Sequence, residues 1–356
     1  MKKLLYAIVV MLCVSLIAVF SLASCTTAEE PVAEEKAAVK EEAPVAEEEV
    51  AELTPVVWAI DSFVNSIPQL AARELGYFED EGVDIELRVF GMGAECMDQI
   101  IAKEADLGIG AHWALALRMT QPNLGLGGEL IDWNDVRSEF WVSKDISEVS
   151  DLKGKAVATM EGTVWDYVVT KTLEVGGLTR DDVRPSNFSI ASDYLSAAVK
   201  GDISAGWWEA QNLEKVEEVL EPLGWHSLGT TNEIVPDLLK GFIILPMSIE
   251  AANEKPEALV GALKAYQRGV DWVNANPEEA GKLAEDLMGI DAKDAEFLIK
   301  QRRFETRFSG DIVDLIRGMK EFALEQGYIS EDYNLDEKIL SEPMKLAFPE
   351  KVDENL

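Results

Sequence analysis

The chain is 356 residues long and 47% hydrophobic, with 66 Asp and Glu against 32 Lys and Arg and a formal net charge of −34. A surface this acidic repels nucleic acid and anionic lipid, which excludes both as partners of the folded body. Only Cys96 of the three cysteines lies clear of the N-terminal stretch, so an internal disulfide framework is excluded and a hydrophobic core must supply the stability.

Residues 1–25, MKKLLYAIVVMLCVSLIAVFSLASC, have a basic start at Lys2 and Lys3, an apolar run and small residues before a cysteine, the layout of a secretion signal. Leu22-Ala23-Ser24-Cys25 resembles the bacterial lipoprotein box, which predicts cleavage before Cys25 and lipidation of that residue. A plain signal peptide or a single membrane anchor is the alternative. Residues 26–54 carry ten Glu and two Lys among Ala, Val and Pro, a composition that extends and buries no core, so they are expected to form a disordered tether. The chain is therefore expected outside the cytoplasmic membrane, held by lipid.

From Pro55 the pattern becomes that of alternating strand and helix. PVVWAID (55–61) reads as a strand, and Ile67, Leu70, Ala71 and Leu75 recur at helical spacing before Gly76. Val83, Ile85, Leu87 and Val89 alternate as in a strand with one buried face; a helix over 94–103, a strand DLGIG and a helix from His112 follow. A second run begins at Gly154: strand KAVATM, helix 163–174 closed by Gly176-Gly177, strand RPSNFSI, helix 194–200 and strand ISAGWW. The chain returns through GFIILP and then reads as almost wholly helical, with Pro256 opening a helix that Asn276-Pro277 breaks. The class is α/β with mainly parallel pairing. Two lobes are predicted, 55–142 with 247–356 and 143–246, joined by crossings near 142–144 and 245–247, with a ligand cleft where strand ends and helix starts converge.

FGMGAEC (90–96) sits where a dinucleotide loop would, but Cys96 stands in place of the third glycine and no acidic residue ends a following strand at the expected distance. What survives is a helix N-terminus facing a small ligand. SIPQLAARELGYFEDEGVDIELRVFGMGAECMDQIIAKEADLGIGA, then DLKGKAVATMEGTVWDYV, then AAVKGDISAGWWEAQ resemble, in order, the nitrate/sulfonate/taurine-type ABC-transporter substrate-binding proteins, which include relatives that bind pyrimidine precursors of thiamine. Gly201, Asp202, Ala205, Trp208 and Glu209 match the family pattern; Ser204 and Ala210 depart from its usual Asp and Pro. The resemblance spans about residues 55–275 and implies a type II periplasmic-binding-protein fold that closes on one solute and passes it to an ABC permease, without catalysis or cofactor and as a monomer. The cysteine-rich C-C-C-F-C motif of the enzymatic fungal branch is absent from the sequence.

The expected ligand-binding residues are Asp61, Ser66, Gly91, Gly93, Glu95, His112 and Trp113 from the first lobe. The second supplies Glu161 with Gly162, Thr163, Trp165, Asp166, Trp208 and Glu209. Each has a plainer role open to it. Thr163 suits a helix cap, Trp165 suits packing, strand alternation lets at most one of Trp207 and Trp208 reach a ligand, and Glu209 suits a permease-facing surface. His112 and His226, the only histidines, read as ordinary packed or surface side chains. No Lys or Arg occurs in these loops, so Trp faces with carboxylates favour a nitrogen-containing aromatic or an amine over a nitrate- or sulfonate-type oxyanion. A sensing lipoprotein without transport has the same sequence features. An exported enzyme needs a catalytic pair or a metal cage, and no run of alternating Asp or Asn supplies one.

Overall fold

The computed structural model describes residues 53–132, 138–161, 163–188, 191–236, 238–239 and 243–356; the expected lipid site Cys25, the tether as far as residue 52 and Gly162 lie outside them, while Thr54, expected to end the tether, instead begins the first strand. The first lobe opens with β1 (Thr54–Asp61), α1 (Ile67–Glu74), α2 (Tyr77–Asp80), β2 (Val83–Phe90), α3 (Gly93–Ile101), β3 (Gly110–Ala111), α4 (His112–Arg118) and β4 (Leu124–Asp132). The second contains β5 (Ser138–Val142), β6 (Ala156–Thr159), α5 (Val164–Val175), β7 (Arg184–Asn187), α6 (Ala191–Lys200), β8 (Ala205–Glu209), α7 (Ala210–Leu220), β9 (His226–Thr230) and α8 (Thr231–Ile234). The chain returns through β10 (Ile243–Ser248), α9 (Ile249–Glu254), α10 (Pro256–Ala275), α11 (Pro277–Met288), α12 (Ala292–Lys300), β11 (Arg303–Arg307), α13 (Gly310–Glu325) and α14 (Glu342–Ala347).

In the first lobe β1 and β2 are parallel, Leu107 bridges β1 to β10, and β4 lies between β10 and β11. The second sheet runs β7-β6-β8-β5-β9, parallel from β7 to β8 and antiparallel on both sides of β5. The α/β class is the expected one, but the pairing is not mainly parallel: among the described strands three pairings are parallel and five antiparallel, because β5, β10 and β11 enter their sheets antiparallel, and the crossings also lie elsewhere. Ser138–Val142, all buried, pairs with β8 and β9 and belongs to the second sheet, while Ile243–Ser248 pairs with β3 and β4 and belongs to the first. The chain therefore changes sheet between Asp132 and Ser138 and again between Ile234 and Ile243, before the points expected at 142–144 and 245–247. The tract 124–132, LGLGGELID, hides β4 because glycines interrupt its apolar run. β11 is likewise unannounced: its Arg-Phe-Glu-Thr-Arg has the polar alternation of an edge strand, set among helices.

Helix α10 holds the first lobe together. Its Tyr266 ring lies 5.5 Å from Trp58, whose Nε1 donates to Gly108 O at 3.0 Å. Gly269 is required by close approach: a Cβ there stands 2.2 Å from the carbonyl oxygen of Pro68 in α1, well inside van der Waals contact. The second lobe buries Trp208 between Tyr194 at 5.2 Å and Trp225 at 6.2 Å. Among the described residues no helix is long and apolar enough to cross a membrane.

Candidate functional site

The C-terminal ends of β1 in one lobe and β6 and β8 in the other, with the helices that follow them, carry most of the expected residues. Asp61 ends β1 and is buried; its carboxylate accepts from Ser66 Oγ at 2.9 Å, Phe63 N at 3.2 Å and Asn65 Nδ2 at 3.5 Å. Burial raises its pKa, and these donors and the nearby Arg302 oppose that rise. Asn65 Oδ1 in turn accepts from Arg302 Nε at 2.9 Å.

Arg302 sits in the short junction between α12 and β11, where Leu298 O also accepts from its Nη1 at 2.8 Å. Burial lowers its pKa to about 10, while Asp61 of its own lobe and Glu209 of the other pull it back up. The guanidinium thus lies within electrostatic reach of carboxylates from both lobes. The expected cleft loops following the strands contain no Lys or Arg, as read from the sequence, but the return segment supplies Arg302.

On the second wall Glu209 ends β8 and its Oε1 accepts from Trp165 Nε1 at 3.0 Å. Trp165 is half-buried and stacks on Trp207 at 6.4 Å with an interplanar angle of 30°. Trp207 is fastened by Nε1 donating to Thr172 Oγ1 at 3.1 Å and by Phe140 at 5.1 Å. Strand alternation resolves the Trp pair: Trp207 faces α5, and Trp208, only 1% exposed, points into the second-lobe core. Trp208 is therefore corrected from a ligand residue to a packing residue.

Thr163 caps α5, its Oγ1 accepting from Trp165 N at 3.2 Å and donating to Met160 O at 2.7 Å. Glu161 is exposed and tied to Asn187, whose Oδ1 accepts from its N–H at 2.9 Å. Asp166 is fully buried and accepts from Thr159 Oγ1 at 2.6 Å, from Arg180 and from the Tyr328 hydroxyl. It is corrected from a ligand contact to a structural carboxylate.

His112 is sealed as well. It is fully buried, its Nδ1 accepts from Trp113 N at 2.8 Å, and burial drives its pKa down to about 3, so the ring is neutral. Trp113, 2% exposed, packs among Tyr167, Phe322 and Tyr328.

In the glycine loop of the first wall, Gly91 and Met92 are exposed and Gly93 is half-buried. Gly93 is there for packing, since a Cβ at that position meets Gly110 Cα at 2.5 Å. Glu95 folds back so that its Oε2 accepts from Gly91 N at 2.7 Å and Met92 N at 3.2 Å. Two N–H groups that resemble an anion cradle are thereby engaged by the chain's own carboxylate. Among the described residues no group of three or more His, Cys, Asp or Glu is arranged to hold a metal ion.

The site thus brings together Asp61, Ser66, Trp165 and Glu209 from the expected set and adds Asn65, Trp207 and Arg302. These residues set carboxylates and a guanidinium beside an indole face; the one hydroxyl–carboxylate pair among them, Ser66–Asp61, is buried.

Comparison with known proteins agrees with this architecture. A protein of Brucella abortus (strain 2308) named "Putative binding protein" is 25% identical over 266 residues, covering 74% of this chain and 79% of the relative. The structure of the periplasmic aliphatic sulphonate binding protein SsuA from Escherichia coli superposes with a TM-score of 0.65 at 16% identity, covering 80% of this chain and 91% of that one. The desulfurization enzyme DszB has the same fold with a TM-score of 0.56 at 16% identity, covering 83% of this chain and 99% of that one. The NMT1/THI5-like family model matches residues 64–280, more than half of the sequence, and this chain, with its periplasmic-binding-protein fold, belongs to that family.

Proposed function

We propose that this chain is the extracytoplasmic solute receptor of an ABC importer, which captures one small molecule between its lobes and delivers it to a permease. It performs no covalent step. The solute carries a positively charged or hydrogen-bond-donating nitrogen together with an anionic group. The observation that carries this reading is Arg302, hydrogen-bonded to Asn65 next to Asp61 and within electrostatic reach of Glu209, whose carboxylate accepts from the Trp165 indole N–H. Glu209 and the indole suit the nitrogen, and the guanidinium suits the acid. A nitrogen aromatic such as a pyrimidine uses the same indole face. A plain oxyanion meets two carboxylates for one guanidinium and finds Glu95 on the loop N–H groups, which disfavours it.

A thermal-shift screen followed by calorimetry tests this with aminosulfonates and amino acids, plain amines, pyrimidines, nitrate and alkanesulfonates, since a ligand that binds only the folded state raises the melting temperature. Solutes bearing both charges are expected to give the largest rise. A rise with nitrate or an alkanesulfonate, and none with any nitrogen-bearing solute, sinks the assignment.

A further inference from the structure

The lobes also meet through rings. Trp113 of α4 stacks on Tyr167 of α5 with centroids 6.0 Å apart and planes 13° from parallel. Phe322 of α13 lies 5.2 Å from Tyr167, and Tyr328, just beyond α13, stands edge-on to Trp113 at 5.7 Å. Trp113, Tyr167 and Phe322 are all buried. At the edge of this cluster the Tyr328 hydroxyl donates to the Asp166 carboxylate of the second lobe. Asp166 is held rigidly by Thr159 and Arg180.

Tyr328 belongs to the first lobe. Its N–H donates to Ala323 O at 2.8 Å at the end of α13, and five residues later Tyr333 Oη donates to Ala116 O of α4 at 2.9 Å. Lys320 Nζ donates to Tyr333 O at 3.2 Å. The segment that follows α13 is therefore tied to its own lobe at Tyr328 and again at Tyr333, and it reaches the other lobe with one hydroxyl.

We propose that Tyr328 is an interlobe clasp: its bond to Asp166, backed by the Trp113–Tyr167 stack, holds the lobes together before any solute arrives. A hydrogen bond to a buried carboxylate is among the stronger kinds, and separating the lobes would leave Asp166 one donor short and expose the rings to water. Because apparent affinity scales with the fraction of molecules already in the competent state, the clasp also tunes how tightly the cleft binds. This inference is independent of the solute's identity.

Tyr328→Phe removes the hydroxyl and keeps the ring; Tyr333→Phe removes a comparable hydroxyl bond that stays within the first lobe. Small-angle scattering of the solute-free full chain is expected to show a larger radius of gyration for Tyr328→Phe alone. Hydrogen exchange is expected to rise at the first turn of α5 in that variant. Circular dichroism and thermal melts confirm that both variants are folded. An unchanged radius and exchange in Tyr328→Phe, or equal changes in both variants, overturns the clasp, since either result assigns the hydroxyl a purely local role.

Discussion

Two regions span the lobes, and they are built from opposite materials. The set Asp61–Asn65–Arg302–Glu209 is charged, and Arg302 and Glu209 keep partial contact with solvent. The set Trp113–Tyr167–Phe322–Tyr328 is aromatic and, apart from half-buried Tyr328, sealed. Removing water makes the second region a source of cohesion, because packed rings gain from burial and hold a defined geometry. Retaining water leaves the first region able to exchange one polar partner for another at small cost, which is what a reversible site requires. Adjacent residues illustrate the same division: Trp165 borders the charged set, and Asp166 and Tyr167, one and two positions on, belong to the sealed one.

The comparison breaks most easily at its sealed half. Trp113→Ala is expected to destabilise the chain by about 3–5 kcal/mol, the usual range for removing a buried indole, as read by chemical denaturation. An effect under about 1 kcal/mol contradicts the dry interface, because surface substitutions fall in that range.

Next comes pH. His112 is neutral in the fold with a pKa near 3 against an ordinary value of 6.5, so the unfolded chain binds a proton that the fold refuses. Its contribution is present above about pH 6.5 and is lost as pH falls towards 3, at up to about 1.4 kcal/mol for each pH unit. Asp61 and Glu129, raised by burial, act in the opposite sense, since protonating them relieves the cost of a buried charge. The difference in stability between wild type and His112→Asn isolates the histidine. It should be flat above about pH 6.5 and shrink below it; a flat difference down to about pH 4 removes His112 from the interior.

The charged half is sharpened by a reciprocal pair. Arg302→Gln should weaken binding of an acidic solute by about tenfold to a hundredfold while barely affecting a plain amine, and Glu209→Gln should do the reverse, consistent with about 1.5–3 kcal/mol for a hydrogen bond to a charged group. Calorimetry on both variants separates the two walls; equal losses for every solute indicate a packing defect instead. The smallest effect is expected at Gln69, fully buried in α1 with no hydrogen-bond partner for either end of its amide among the described residues. Gln69→Leu should raise stability by about 1 kcal/mol, read as a rise in melting midpoint, because an unsatisfied buried amide is replaced by an apolar group of similar size.

Much of the fold was legible because alternation and helical spacing are local. The α5 start at Thr163, the α10 limits at Pro256 and Asn276, and the strand-end positions of Asp61 and Glu209 all follow from a few neighbouring residues. What escaped depends on distant pairing. Arg302 meets Asn65 across 237 residues and Tyr328 meets Asp166 across 162, and nothing in QRRFETRFS or EQGYISED announces either partner. Trp208 and Asp166 escaped for a related reason: position at a strand end or helix start brings a residue to the cleft, but the side chain's direction is set by the sheet face and by partners contributed from elsewhere.

The Glu95 carboxylate resting on the N–H groups of Gly91 and Met92 is a resident occupant of that loop. Being covalently attached, it competes at an effective concentration on the order of millimolar or higher, whatever the medium contains. Dilute inorganic anions arriving at that loop therefore face incumbency as well as solvation, and only a solute with additional handholds elsewhere has reason to displace it. In the proposed receptor, such prior occupation would select among solutes with no moving part.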